Sequence, residues 1–202
     1  MTRRTPEPQV YALKREILGE YETLSQAGAI DVFYGDESGV SMLPPVPYAW
    51  QFRGEVVTLP SERSKRLNCF ALISRRNRCF ARTTQEKVTG DWVAQQIDAF
   101  CQTLERPTVI VLDNASVHTK AVKERLPAWE ERGLFVFFLP AYSPHLNLAE
   151  ILWRKLKYEW LQVGDYADKE TLYAATERLL GEVGKSRHIA FSPFKKKDEA
   201  RA

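Results

Sequence analysis

Long apolar runs are missing from this 202-residue chain. No stretch approaches the roughly 20 residues that a membrane-spanning helix needs, which excludes a helical span within it. The opening residues, Met1-Thr2-Arg3-Arg4-Thr5-Pro6-Glu7-Pro8, have no apolar core of the kind a secretory leader carries. Cysteine is scarce: Cys69, Cys79 and Cys101 are an odd set without Cys-x-x-Cys spacing. That argues against a disulfide framework or a zinc site and for reduced thiols in a cytoplasmic protein. Internal repeats and low-complexity tracts are absent as well. What remains is 44% hydrophobic and 27% charged, the balance of one ordinary globular domain with short appendages.

The net charge is only +3, but cations are unevenly placed. Arg63, Lys65, Arg66, Arg75, Arg76, Arg78 and Arg82 fall in one segment without an acid among them. Arg154, Lys155 and Lys157 form a second group, and Lys195-Lys196-Lys197 a third. Such patches fit either a solvated basic face or a surface for a polyanion.

Apolar periodicity divides the chain into elements. Val10, Leu13, Ile17, Tyr21 and Leu24 recur at helical spacing, which predicts a helix over 9–28. A strand follows over 29–38. Four prolines mark 41–60 as a loop around a short strand at Trp50-Gln51-Phe52-Arg53. Runs at 67–74 and 79–84, split by Arg75-Arg76-Asn77-Arg78, predict an antiparallel hairpin. A helix starts at Thr89-Gly90-Asp91. The strand 108–112 follows Pro107, a helix over 119–132 stops at Gly133, and Leu134–Leu139 is a strand apolar throughout, expected to be central. Helices are expected over 148–161 and 169–183, and the last dozen residues are expected to be frayed. The division is a linker helix over 1–29, a main domain over 30–162, and a C-terminal helix with a basic tail over 163–202.

Three strands with hairpin-type connections, then alternating helices and strands, build a mixed five-stranded sheet with helices on both faces. This α/β pattern is that of the ribonuclease-H-like fold. Its first and fourth strands are neighbours, so Asp36 and Asp113, each ending an apolar strand, meet at one sheet edge. The helix after the fifth strand brings Glu150 there. Three carboxylates in one place repel one another and raise their pKa values unless a cation joins them. An all-oxygen site of this kind suits the hard ions Mg²⁺ and Mn²⁺.

Each acid has a plainer reading. Asp36, in Gly35-Asp36-Glu37-Ser38-Gly39, also suits a turn, and Glu37 is expected on the opposite face. Asp113-Asn114 also suits a helix cap, and His118 a surface histidine. Asn147-Leu148-Ala149-Glu150 has the form of a capping box, and Arg154 stands one turn on for an ion pair with Glu150. Leu148, Ile151, Leu152, Leu156 and Trp160 form the buried stripe of that helix; Glu150, Arg154 and Lys157 share another face, and Trp153 reads as packing.

The combination is more specific than its parts. Residues 114–149, 36 positions, separate Asp113 from Glu150. With Asp36-Glu37-Ser38-Gly39, Tyr48–Gly54, Asp113-Asn114, His118 and the block Tyr142-Ser143-Pro144-x-Leu146-Asn147-x-x-Glu150, the chain resembles the DDE-type transposases of the insertion-sequence-630 and mariner superfamily over roughly residues 30–162. Trp153, Leu156 and Lys157 continue the pattern. His145 stands where an acid is common and Leu148 where proline is common.

The resemblance implies DNA cleavage and strand transfer, with Asp36, Asp113 and Glu150 holding two Mg²⁺ or Mn²⁺ ions. Asn114, His118 and Asn147 take supporting roles, and phosphate contacts are expected from Arg63, Lys65, Arg66, Arg75, Arg76, Arg154 and Lys157. Double-stranded DNA, as element ends and a TA target, is the implied partner, with a homodimer across paired ends and a nucleoid-associated location. Helix-turn-helix modules precede the catalytic domain in that superfamily, and about thirty residues here leave room only for a linker helix. The chain is thus expected to be a catalytic half: a split-frame product, a truncated copy or an excised piece. The alternatives are another ribonuclease-H-like nuclease and a non-catalytic, DNA-binding or dimerising regulator.

Overall fold

The computed structural model describes residues 6–43, 53–54, 66–113 and 119–194. The expected short strand at 50–53, and Asn114, His118, Arg63 and Lys65, lie outside this set, apart from Arg53, which stands in a turn.

Helix α1 (Pro8–Gln26) leads into β1 (Asp31–Val40). The hairpin β2 (Leu67–Ile73) and β3 (Cys79–Thr84) follows, then α2 (Gly90–Cys101), β4 (Thr108–Leu112), α3 (Thr119–Glu130) and β5 (Leu134–Phe138). A 3₁₀ turn, Pro144–Leu146, precedes α4 (Ala149–Lys155), and α5 (Lys169–Glu182) comes last. Thr89 caps α2 through its hydroxyl, and Gly133, at φ 80°, ends the α3 segment where a side chain would be strained.

The strand order is β3-β2-β1-β4-β5, with β1 antiparallel to β2 and parallel to β4, and β5 parallel to β4. The parallel crossovers through α2 and α3 place helices on one face of the sheet. α1, α4 and α5 cover the other. Two hydrophobic clusters result. Phe33, Phe70, Leu72, Ile110 and Leu112 pack under α2 and α3; Val32, Tyr34, Val109 and Val111 pack under α1, α4 and α5. Alternation along β1 and β4 produces this division directly.

Three expectations change. The apolar strand β5 is an edge strand, not a central one, and Phe135 is 43% exposed. Its apolar character serves packing on Trp129-bearing α3 and on α1, where Tyr21 meets Phe137 edge-on. The expected single helix over 148–161 is α4 followed by one wide π turn, Leu156–Trp160. Of the last dozen residues, 191–194 are described, and there Ser192 O accepts from Arg75; just before them Ile189 is buried and exchanges two hydrogen bonds with Asn77. Cys69, Cys79 and Cys101 are free thiols. Burial pushes Cys69 and Cys79 up to about 12, so both stay protonated and unreactive.

Candidate active site

Tyr34 pairs with Val111 across the parallel β1–β4 junction. Two residues further along each strand stand Asp36 and Asp113, so the shared register carries both to the same sheet face. That is the face on which Tyr34 and Val111 are buried and on which α4 packs. Glu150 lies in the first turn of α4, where the helix N-terminus favours negative charge.

Asn147 sets the position of that turn. Its Nδ2 donates to Gly35 O at 3.0 Å, and its Oδ1 accepts from Ala149 N at 3.1 Å. One buried amide thus ties the start of α4 to the β1 backbone beside Asp36. The expected capping box is not formed: α4 begins with Leu148 as its N-cap, and Glu150 projects outward, exposed, into a cleft. Glu150 and Arg154 both line this cleft without forming the ion pair. Gly35 is required by close approach. A Cβ there would meet Leu112 Cδ2 at 2.6 Å and Leu72 Cδ2 at 2.8 Å.

The cleft has a volume of about 600 Å³ and is lined by Asp36, Glu37, Asn147, Glu150, Arg154 and Lys157 among others. Glu37 lines it too, contrary to the expected opposite face; β1 continues there to Val40, paired with β2 but no longer with β4. The Asp36 carboxyl is pushed up to about 7, first by burial, then by the charges of Glu37, Glu150 and, more weakly, Asp113. Opposing them is Lys157, whose ammonium feels Asp36 and Glu150 as well as Arg66. Burial and the Arg66 charge hold it below the usual lysine range. Arg66 lies over Gly39, its Nε 1.5 Å from where a Cβ would stand, so a bare glycine makes room for it.

The structure therefore brings Asp36, Asp113, Glu150, Asn147, Arg66, Arg154 and Lys157 to one locality. Arg75 and Arg76 sit elsewhere, on the β2–β3 turn near the start of β1. Arg75 pairs with the buried Glu22 at 2.8 Å, and Arg76 donates to Ser25 O at 2.8 Å, so both hold the turn against α1. Arg75 also lines a second hollow with Arg15, Arg154 and Lys155. Two contributors to the site were not expected there from the sequence, which offered Trp153 only as packing and Tyr158 not at all. Trp153 is buried, yet its Nε1 donates to Asp36 Oδ2 at 3.1 Å. Tyr158 is 55% exposed at the cleft wall, presented there by the π turn.

A family model described as "DDE superfamily endonuclease" matches residues 31–173, from the start of β1 into α5. The chain belongs to the DDE superfamily of endonucleases. Solved structures agree on the fold. The Mos1 transposase paired-end complex with left transposon end superposes with a TM-score of 0.53 at 19% identity, covering 90% of this chain and 62% of that one. The catalytic domain of Mos1 mariner transposase gives 0.52 at 18% identity, covering 90% of this chain and 93% of that domain. The chain spans about 62% of the length of the longer Mos1 chain. A simian T-cell lymphotropic virus intasome in complex with PP2A regulatory subunit B56 gamma gives 0.50 at 13% identity over 79% of this chain and 55% of that one. No curated protein matches. The DDE endonuclease fold is thus ribonuclease-H-like, as the strand order expects.

Among the described residues no three potential ligands stand close enough to form a preassembled metal cage. The donor set nonetheless fits a hard divalent cation. Carboxylate oxygens dominate it, and the Asp36 carboxyl is raised by burial and by the acids beside it, a cost that a bound cation would relieve. No described helix is long and apolar enough to cross a membrane.

Proposed function

We propose that this domain cleaves and rejoins DNA strands as the catalytic part of a transposase, with Asp36, Asp113 and Glu150 as the ligands of two Mg²⁺ or Mn²⁺ ions. One observation carries the reading. Asp36 and Glu150, from distant parts of the chain, line one cleft, Asp113 stands at the matching end of β4, and Asp36 is pushed up to about 7, first by burial and then by neighbouring acids.

Ions held by these acids would activate the attacking water or 3′-hydroxyl and stabilise the leaving oxygen. The protein's own part is placement. Asp36 and Asp113 are fixed by strand register, and Glu150 by the helix start that Asn147 holds. Lys157 and Arg154 face the same cleft as the acids and offer cations to the phosphates flanking the scissile bond. Arg66 extends that rim beside Lys157. Such contacts position the duplex and carry little sequence information. Asn114, next after Asp113, and His118, five residues on, are assigned supporting roles at the same centre. Arg63 and Lys65 belong to the same basic segment as Arg66, and Arg75 and Arg76 to its continuation. Dimerisation across paired element ends, end recognition by a helix-turn-helix part, and joining to a TA target belong to the same proposal.

The test is twofold. A labelled duplex is incubated with Mg²⁺ or Mn²⁺ and wild type, Asp36→Asn, Asp113→Asn or Glu150→Gln, and Mn²⁺ binding is followed by calorimetry with and without a short duplex. Cleavage lost in all three variants, with Mn²⁺ binding weakened sharply in Glu150→Gln, is the expected result. Cleavage that survives any of the three, or Mn²⁺ binding that ignores Glu150, refutes the assignment.

A further inference from the structure

Trp153 is the buried group near the cleft for which endonuclease chemistry has no obvious use. It lies 117 residues from Asp36 in sequence, and its Nε1–H donates to Asp36 Oδ2 at 3.1 Å. A buried indole N–H needs an acceptor. Most such partners are backbone carbonyls or waters; here it is one oxygen of the acid at the centre of the site. Trp153 also stands three residues after Glu150 in α4, so it lies one turn along the same helix. The helix that carries one acid of the site therefore grips a second, which stands on β1.

We propose that Trp153 is a positioning residue for metal capture: its indole holds Oδ2 of Asp36 so that the carboxylate meets the cation in one orientation. This rests on the reading of Asp36 as a metal ligand. The choice of donor is informative. Arginine or lysine at 153 would hold Asp36 equally well, but its charge would neutralise the carboxylate and repel the cation. An amide carries an acceptor as well as donors and can turn either toward the acid. Indole has one N–H, no acceptor and no charge. It fixes the carboxylate without weakening the electrostatic attraction the site exists to provide. Its rigid ring, packed in the main core cluster, gives the N–H a fixed direction. Donors that orient ligating groups in this way change metal affinity by about 10- to 100-fold when removed.

The alternative is that Trp153 is a core residue whose N–H happens to be satisfied. Two variants separate the ideas. Trp153→Phe removes the donor together with part of the ring. Site-specific replacement of Trp153 by 3-benzothienylalanine keeps the ring shape and exchanges N–H for sulfur. Both are titrated with Mn²⁺ by calorimetry in the presence of a short duplex, beside wild type, and metal-free unfolding is recorded for each. The expected result is Mn²⁺ affinity about tenfold weaker in both variants, an unfolding midpoint little changed by benzothienylalanine, and cleavage restored at raised Mn²⁺. Benzothienylalanine at 153 binding Mn²⁺ as tightly as wild type would overturn the proposal, whatever Trp153→Phe does. Wild type that binds no Mn²⁺ would instead overturn the metal-site reading, and this proposal with it.

Discussion

Replacing Asp36 by asparagine should abolish cleavage and yet stabilise the metal-free protein above neutral pH. The Asp36 carboxyl is raised from 3.8 to about 7. A raised carboxyl means that the folded state holds the proton more tightly than the unfolded chain. Stability therefore falls as pH rises between the two values and is flat outside them. Three units at roughly 1.4 kcal/mol each set an upper limit of about 4 kcal/mol for the cost of ionised Asp36 at pH 8. Asparagine is uncharged at every pH, nearly isosteric, and its Oδ1 still accepts from Trp153. We expect Asp36→Asn to equal wild type near pH 3.5, to gain progressively through pH 5 and 6, and to stand about 2–4 kcal/mol above it at pH 8. The assay is urea unfolding in EDTA across this range, with m-values compared to confirm a common transition. A divalent ion at 1,000 times Kd should cancel this advantage, since only wild type gains the roughly 4.1 kcal/mol that such saturation confers. A variant less stable than wild type at pH 8, or a difference independent of pH, would refute the electrostatic reasoning and return Asp36 to a turn residue.

Further outcomes follow from single contacts. Gly35→Ala forces a Cβ to within 2.6 Å of Leu112 and 2.8 Å of Leu72, and thermal melts should show a loss of about 1–3 kcal/mol with cleavage impaired. Asn147→Ala removes the tether to Gly35 and the bond to Ala149 N, so unfolding should register about 2–3 kcal/mol and Mn²⁺ affinity should drop with it; full affinity would mean that α4 is held by its apolar face alone. Glu22→Gln leaves Arg75 without its ionic partner, and chemical denaturation should show a loss of about 3 kcal/mol without a change in metal affinity, because this pair lies near the start of β1. Lys157→Ala should lower the slope of log affinity against log salt by about one in duplex-binding titrations, uniformly across DNA sequences; a sequence-dependent loss would make Lys157 a base reader.

Much of this was legible in the primary structure because it depends on local rules. Apolar runs ending in Asp36 and Asp113 identify strand ends, and the hairpin at 67–84 follows from two β-rich runs split by a polar turn. The Tyr142–Glu150 block, with the spacing from Asp113, points to an acid at the start of a helix. Three cysteines without pairing spacing proved to be free thiols. These features need only chain direction, side-chain period and turn chemistry.

Other properties were set by packing between distant segments, which no local pattern encodes. An apolar strand such as β5 looks the same at an edge as at the centre; the crossover through α3 placed it at the edge. Asn147 has the sequence context of a capping box, but the carbonyl of Gly35, 112 residues away, is within reach of its amide, and Glu150 is left free for the cleft. Arg75 and Arg66 belong to one basic segment, yet Arg75 is drawn to buried Glu22 while Arg66 crosses bare Gly39 to the site. Trp153 carries a core signature, and only the docking of α4 on β1 reveals that its N–H faces Asp36. The sequence by itself determined which residue types are present and in what order along each element. The tertiary structure decided which of them meet, because hydrogen bonds and charge interactions act over a few ångströms in space, whatever the separation along the chain.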